Sequence, residues 1–206
     1  MTIKSLIKPP IHPKMHCDES PVGYLIRIAY LNKYNSFQWL MEANTGKRKI
    51  GLDSIYKYIE HTNWCGESTK NGGILIDIQG CNSTHLLTYL RYCPLCIHEQ
   101  GYWSVTWHLQ VSTVCTKHKI TLVDRCVDCG EYIKYTEVGH ALCKCMPGLS
   151  LTENTEPCSK ELLYLQRFIE GGKIEKNKGL LINNDHDLTL KCRSSLLRMF
   201  ARYIPE

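Results

Sequence analysis

Four short cysteine and histidine knuckles follow one another between positions 93 and 145. They read Cys93-Pro94-Leu95-Cys96, Cys115-Thr116-Lys117-His118, Cys126-Val127-Asp128-Cys129 and Cys143-Lys144-Cys145. A two-residue gap lets one tight turn aim two side chains at one ion, and structural zinc takes four thiolate or imidazole ligands in a tetrahedron. Pairing the first knuckle with the second and the third with the fourth gives two closed sets. The first is Cys93, Cys96, Cys115 and His118, with 18 residues between its inner pair; the second is Cys126, Cys129, Cys143 and Cys145, with 13 between. Two zinc ions per chain are therefore expected, each folding a segment with too little apolar core of its own, since such binding supplies on the order of 10 kcal/mol. The one-residue gap of the last knuckle is less usual, and His140 is an alternative ligand there. His98 and His108 stand near the first set but outside its spacing, where a core or surface histidine is the expected role.

Twelve cysteines in 206 residues mean metal or disulfides according to compartment. Residues 1–15 hold no apolar run of signal-peptide length, and no stretch approaches the roughly 18 apolar residues of a membrane span. A cytosolic protein with reduced thiols and no membrane partner is expected. Cys17, Cys65, Cys81, Cys158 and Cys192 lack partners at ligand spacing and read as buried or incidental thiols. A hydrophobic content of 43% excludes wholesale disorder, and a formal net charge of +5 is compatible with nucleic acid without establishing it.

Around the knuckles the pattern is mainly helical, with small zinc-ribbon β elements. Residues 1–17 form an extended arm carrying Pro9, Pro10 and Pro13. A helical domain follows over 18–73. Ser20-Pro21 is a cap and first-turn pair, and Val22, Leu25, Ile26 and Ala29 repeat at helical spacing until about Asn32. After a short polar turn Ser36 caps a second helix with Phe37, Leu40 and Met41 inward, which Asn44-Thr45-Gly46 closes. Two short helices so joined outline a helix-turn-helix. Lys47, Arg48 and Lys49 come next; they are candidate phosphate contacts, although a solvated loop is the commoner outcome for such a run. Asp53 is expected to cap a third helix with Ile55, Tyr56 and Ile59, and the polar stretch 61–73 is the expected boundary.

The tandem zinc-binding domain spans 74–146, with its sites at 93–118 and 126–145. A strand is expected over residues 74–78. Trp103, Trp107, Val111 and Val114 fit one helical face, while Val105, Trp107, Leu109 and Val111 alternate like a strand. In either form these aromatics are expected to pack around the metal, because a small module has little else for a core. Strand-like runs occupy 119–123 and 131–135. A C-terminal helical region covers 147–206: Ser159 caps a helix with Leu162, Leu165, Phe168 and Ile169 inward, and a last helix over about 187–203 carries Leu196, Leu197, Phe200 and Ile204. Lys191, Arg198 and Arg202 share another side of it and are further candidates for nucleic acid.

No catalytic pattern emerges. A zinc deaminase needs His-x-Glu upstream and Pro-Cys-x-x-Cys with water on the metal, whereas Pro94 lies inside its knuckle. His98-Glu99 does not open a His-Glu-x-x-His helix, because position 102 is tyrosine. Both ligand sets are full, so no catalysis by the chain itself is expected.

Asp18-Glu19-Ser20-Pro21 with Leu25, Arg27 and Ala29, followed by Tyr34-Asn35-Ser36, resembles the opening of the TniQ family of transposition proteins. Arg91-Tyr92-Cys93-Pro94-Leu95-Cys96, Gly101-Tyr102-Trp103, Trp107-His108, Val114-Cys115-Thr116-Lys117-His118 and Asp124-Arg125-Cys126-Val127-Asp128-Cys129-Gly130 resemble its zinc region. The resemblance covers about 9–45 and 90–146. It implies a target-selection adaptor of a Tn7-like, CRISPR-associated transposon. Such an adaptor joins an RNA-guided effector complex with its guide RNA, or target DNA, to the transposon's AAA+ ATPase (TnsC-like). It also implies a homodimer in which the helix-turn-helix serves protein contact. The chain is short beside the family's site-specific DNA readers, which favours the CRISPR-coupled role. A sequence-specific, zinc-containing helix-turn-helix DNA-binding protein is the alternative.

Overall fold

A computed structural model describes residues 7–46, 51–62, 87–135, 143, 145 and 155–170. These residues contain five helices, one short 3-10 turn and a two-stranded antiparallel sheet. No described helix is long and apolar enough to cross a membrane.

Helix α1, Pro21–Leu31, starts as its residues dictate: the Ser20 hydroxyl accepts the Gly23 N–H and Pro21 occupies the first turn. Asn32 ends it. Helix α2, Gln38–Thr45, begins one residue later than a Ser36 cap would give; Phe37 takes the cap position, and Ser36 Oγ instead accepts the Gln38 N–H at 3.2 Å. Gly46 closes α2 at φ 70°, a conformation that favours glycine. Helix α3, Leu52–Thr62, starts ahead of Asp53, which falls within its first turn. It packs against α1, with Ile55, Tyr56, Tyr58 and Ile59 buried.

The arm before α1 is seated on these helices. Asn32 exchanges hydrogen bonds with the Ile11 backbone at 2.7 and 2.8 Å, and Asn44 does the same with Ile7. Tyr24 donates to the Pro13 carbonyl. Glu19, fully buried, receives both arms of the Arg27 guanidinium at 2.6 and 2.7 Å, and Arg27 also donates to the Lys14 carbonyl. A bidentate pair of this kind satisfies a charge that burial would otherwise penalise by several kcal/mol.

α1 also packs directly on the zinc-ligand region. Ser20 donates its N–H to the Trp103 carbonyl, Val105 donates to Asp18, and Glu19 bridges Ser104 in antiparallel register. The Tyr102 hydroxyl donates to Asp18, and the His16 and Tyr102 rings stack at 4.3 Å. Trp103 and Trp107 are buried in the same core as Val22, Leu25 and Ile26. The aromatic insert thus packs. It does so through a 3-10 turn, Val105–His108, in place of either a long helix or a strand. The boundary expected at 61–73 lies beyond the described residues after Thr62, as does the strand expected at 74–78.

His108 sits at the centre of this contact, buried, with Nε2 3.0 Å from Ser20 Oγ. Burial pushes its pKa down to about 4 from an ordinary 6.5. The folded state therefore binds fewer protons than the unfolded one between those values. The stability from neutral His108 is complete above pH 6.5 and is lost as the pH falls towards 4, to the extent of about 3 kcal/mol. Urea melts at pH 7 and pH 4.5 should show a larger loss in the native chain than in His108→Gln; equal losses would refute the assignment.

Helix α5, Lys160–Ile169, follows its Ser159 cap, which accepts the Leu162 N–H. Its inward face matches the expected one at Phe168 and Ile169 but not at the two leucines. Gln166, Phe168 and Ile169 are buried, while Leu162 and Leu165 are 40% and 43% exposed. The reason is the docking: Gln166 Nε2 donates to the buried Ser112 Oγ at 3.1 Å, and Thr116 donates to Glu170. The incoming segment is held by Thr121 N–H on the Glu156 carbonyl and Cys158 N–H on Lys119. These bonds hold α5 in this rotation, with its leucines outward.

Candidate metal centres

Helix α4, Pro94–Gln100, carries the first knuckle. Cys93 is its cap, with Sγ accepting the Cys96 N–H, and Gly101 ends it at φ 74°. The second knuckle is the turn between strands β1, Val114–Cys115, and β2, Ile120–Thr121, paired Val114 to Thr121 and Cys115 to Ile120. Lys119 takes a positive φ of 57° to close this turn, and Cys115 Sγ accepts the His118 N–H. The two knuckles meet because Tyr92, just before Cys93, exchanges both backbone hydrogen bonds with Val123, just beyond the hairpin.

His118 Nδ1 consequently lies 3.4 Å from Cys93 Sγ, 3.2 Å from Cys96 Sγ and 3.7 Å from Cys115 Sγ, and the Cys96 and Cys115 sulfurs are 3.6 Å apart. Ligands on a tetrahedral zinc, with Zn–S near 2.3 Å, stand about 3.5–3.8 Å from one another. The donor set and its spacing fit such an ion. Hydrogen bonds from Cys93 and then Cys96 hold the Cys115 thiol far below its usual range, and Cys115 pushes Cys96 and Cys93 up. A cation removes that competition, since coordinating thiols are deprotonated outright.

The second set is built on a turn from Asp124 to Ile133. Cys126 and Glu131 are hydrogen-bonded, Gly130 adopts φ 72°, and Arg125 lies 3.9 Å over the Tyr132 ring while donating to the Gly130 carbonyl. Leu90 donates to Ile133, tying this turn to the segment before the first knuckle. Cys126 Sγ is 3.3 Å from Cys145 Sγ, Cys129 is 3.6 Å from Cys143, and Cys143 is 3.3 Å from Cys145. In both sets all ligand atoms fall within 4.8 Å of one another, so each can hold a metal ion. They differ in shelter. Cys93, Cys96 and Cys115 are buried, whereas Cys129 and Cys145 are exposed.

The TniQ family model matches residues 82–122, a span that includes every ligand of the first set and stops before Cys126. Over this span the chain is similar to the TniQ family. The resemblance read from the sequence extends further in both directions than this match. No curated protein matches the chain significantly.

The six basic candidates, Lys47, Arg48, Lys49, Lys191, Arg198 and Arg202, lie outside the described residues, as do His140, Cys65, Cys81 and Cys192. Cys17 is exposed and Cys158 half-buried, and neither joins a ligand cluster. His98 is exposed and His108 is in the core. Sequence reasoning missed Glu99, whose carboxylate reaches His118 Nε2 at 3.0 Å and Lys117 Nζ at 2.5 Å. Lys117 and then His118 hold that carboxyl below its usual range. Its signal was available: Cys93, Cys96 and Glu99 recur every third residue along one side of α4.

Proposed function

We propose that this protein is a TniQ-type target-selection adaptor of a Tn7-like, CRISPR-associated transposon. It holds an RNA-guided effector complex, or target DNA, in a fixed relation to a AAA+ ATPase, and performs no chemistry itself. Two zinc ions staple it, and it acts as a homodimer through its N-terminal helical module, the candidate helix-turn-helix.

The observation that carries this reading is the match to TniQ over a ligand set with four protein donors around one point. A set that supplies all four ligands keeps no position for activated water, so its metal serves shape. The surroundings support a protein-contact role. Arg27 is engaged by Glu19, Arg91 by Asp124 and by the Ser112 carbonyl, and Arg125 by Tyr132, so these cations are committed within the fold. Tyr30, Trp39, Tyr164 and Leu165 meanwhile present exposed apolar surface, which partner proteins use and phosphates do not.

A fluorescence-anisotropy titration of the purified protein against duplex DNA at physiological salt tests the proposal. Weak, sequence-independent binding that falls steeply with salt is expected, with stable association appearing only when the guide complex or the ATPase is added. Tight, sequence-dependent binding by the protein alone would establish the attachment-site reader in its place.

A further inference from the structure

The side of α4 that carries Cys93 and Cys96 carries Glu99 one turn further on, and the opposing hairpin places Lys117 and His118 against it. His118 turns Nδ1 towards the three sulfurs, at 3.2 to 3.7 Å, and therefore turns Nε2 away from them. Glu99 Oε1 lies 3.0 Å from that Nε2, and Glu99 Oε2 takes the Lys117 ammonium at 2.5 Å. The ring is held from both sides, by the sulfur cluster at one nitrogen and by a carboxylate at the other.

We propose that Glu99 is a positioning residue of the first metal centre: it accepts the Nε2–H of His118, fixes the tautomer that leaves Nδ1 free to bind the ion, and raises the basicity of that nitrogen. Lys117 pairs with the second carboxylate oxygen. The chemistry follows from the imidazole itself. A neutral ring has one donor and one acceptor nitrogen, and a carboxylate can face only the donor. Carboxylate partners of this kind on metal-bound histidines typically change metal affinity by about 10- to 100-fold. The charges are also matched. Three thiolates and a divalent ion leave one negative charge, Glu99 adds a second, and Lys117 cancels it.

This inference rests on zinc occupying the first set, and the experiment separates the two claims. The full chain is loaded with 113Cd, whose resonance distinguishes a three-sulfur, one-nitrogen site from a four-sulfur site, and zinc affinity is measured by competition with a chromophoric chelator. Glu99→Ala should weaken zinc binding about 10- to 100-fold at the first site alone and shift only the three-sulfur cadmium resonance. It should also remove the hydrogen-bonded Nε2–H signal of His118. E99Q, whose amide oxygen still accepts that proton, should recover the Nε2–H signal and part of the affinity. An unchanged affinity and an unmoved resonance in Glu99→Ala would overturn the role of Glu99 while leaving the zinc centre standing. Absence of a three-sulfur resonance in the native chain would overturn the zinc reading itself, and this proposal with it.

Discussion

Cys96→Ser should abolish the cooperative melt of the region around the first knuckles and reduce bound zinc from two ions to one per chain. Cys96 Sγ is within 3.6 Å of both Cys115 Sγ and His118 Nδ1, and it is buried. A serine hydroxyl is a poor zinc ligand, so the variant forfeits most of a binding free energy on the order of 10 kcal/mol, which exceeds the whole stability of many domains. The loss should spread beyond the site, because Trp103, Trp107 and α1 share its core. Elemental analysis with a thermal melt checks this, and Cys158→Ser is the comparison. Cys158 joins neither ligand cluster, and its replacement should change the melting temperature by only a few degrees. Equal effects of the two substitutions would contradict the ligand assignment.

Gly23→Ala should destabilise the protein by about 2 kcal/mol, although the same change in an exposed helix interior stabilises by nearly 1 kcal/mol. A Cβ at position 23 would stand 2.5 Å from Trp103 Cβ and 3.4 Å from Trp103 Cα and Cγ. The clash is with the first side-chain atom, so no rotamer of Trp103 relieves it. Nor can the backbone of Trp103 retreat freely, because its carbonyl accepts the Ser20 N–H and the adjoining Ser104 is bridged to Glu19. α1 must instead move off the zinc region, loosening the Ser20–His108 contact. Urea denaturation measures the effect. A G23A variant as stable as the native chain would show that α1 and the aromatic insert are not in this contact.

The helical module at the N-terminus and the zinc knuckles read as separate domains in the sequence, because the polar stretch 61–73 divides them and each has its own pattern. Packing unites what that pattern divides. The start of α1 meets residues 103–105, some eighty positions away in the chain, and Gly23 is what leaves room for Trp103. Nothing local marks Gly23 as special. Its neighbours Val22, Tyr24 and Leu25 look like any apolar helix face. His108 was equally ambiguous, since only burial against Ser20 separates a core histidine from a metal ligand one knuckle away.

Apart from the Ser36 and Asp53 caps, elements governed by adjacent residues were legible, and those governed by distant partners were not. Ser20-Pro21 and Ser159 cap the helices they precede, and Gly46 closes α2, because caps depend on three or four residues in sequence. The rotation of α5 was not legible. Its leucines suggested one inward face, and a hydrogen bond from Gln166 to Ser112, 54 positions away, selected another. The aromatic insert shows the same limit: its spacing suited two periods, and the 3-10 turn it adopts was decided by the edge of the core it had to fill.

Both candidate ligand clusters were legible in the sequence alone, down to their eight residues. Ligand chemistry demands soft donors in pairs at turn spacing, and few other arrangements satisfy a tetrahedron. Tertiary structure decided everything that orients them. It brought the Tyr92 and Val123 backbones together so that two knuckles share one point, turned Nδ1 of His118 inward with Glu99 behind it, and buried the three cysteines of the first set while leaving Cys129 and Cys145 of the second exposed. The physical reason is range: a knuckle is shaped by neighbours three residues apart, whereas the shelter and orientation of a site are shaped by whatever the rest of the chain packs against it.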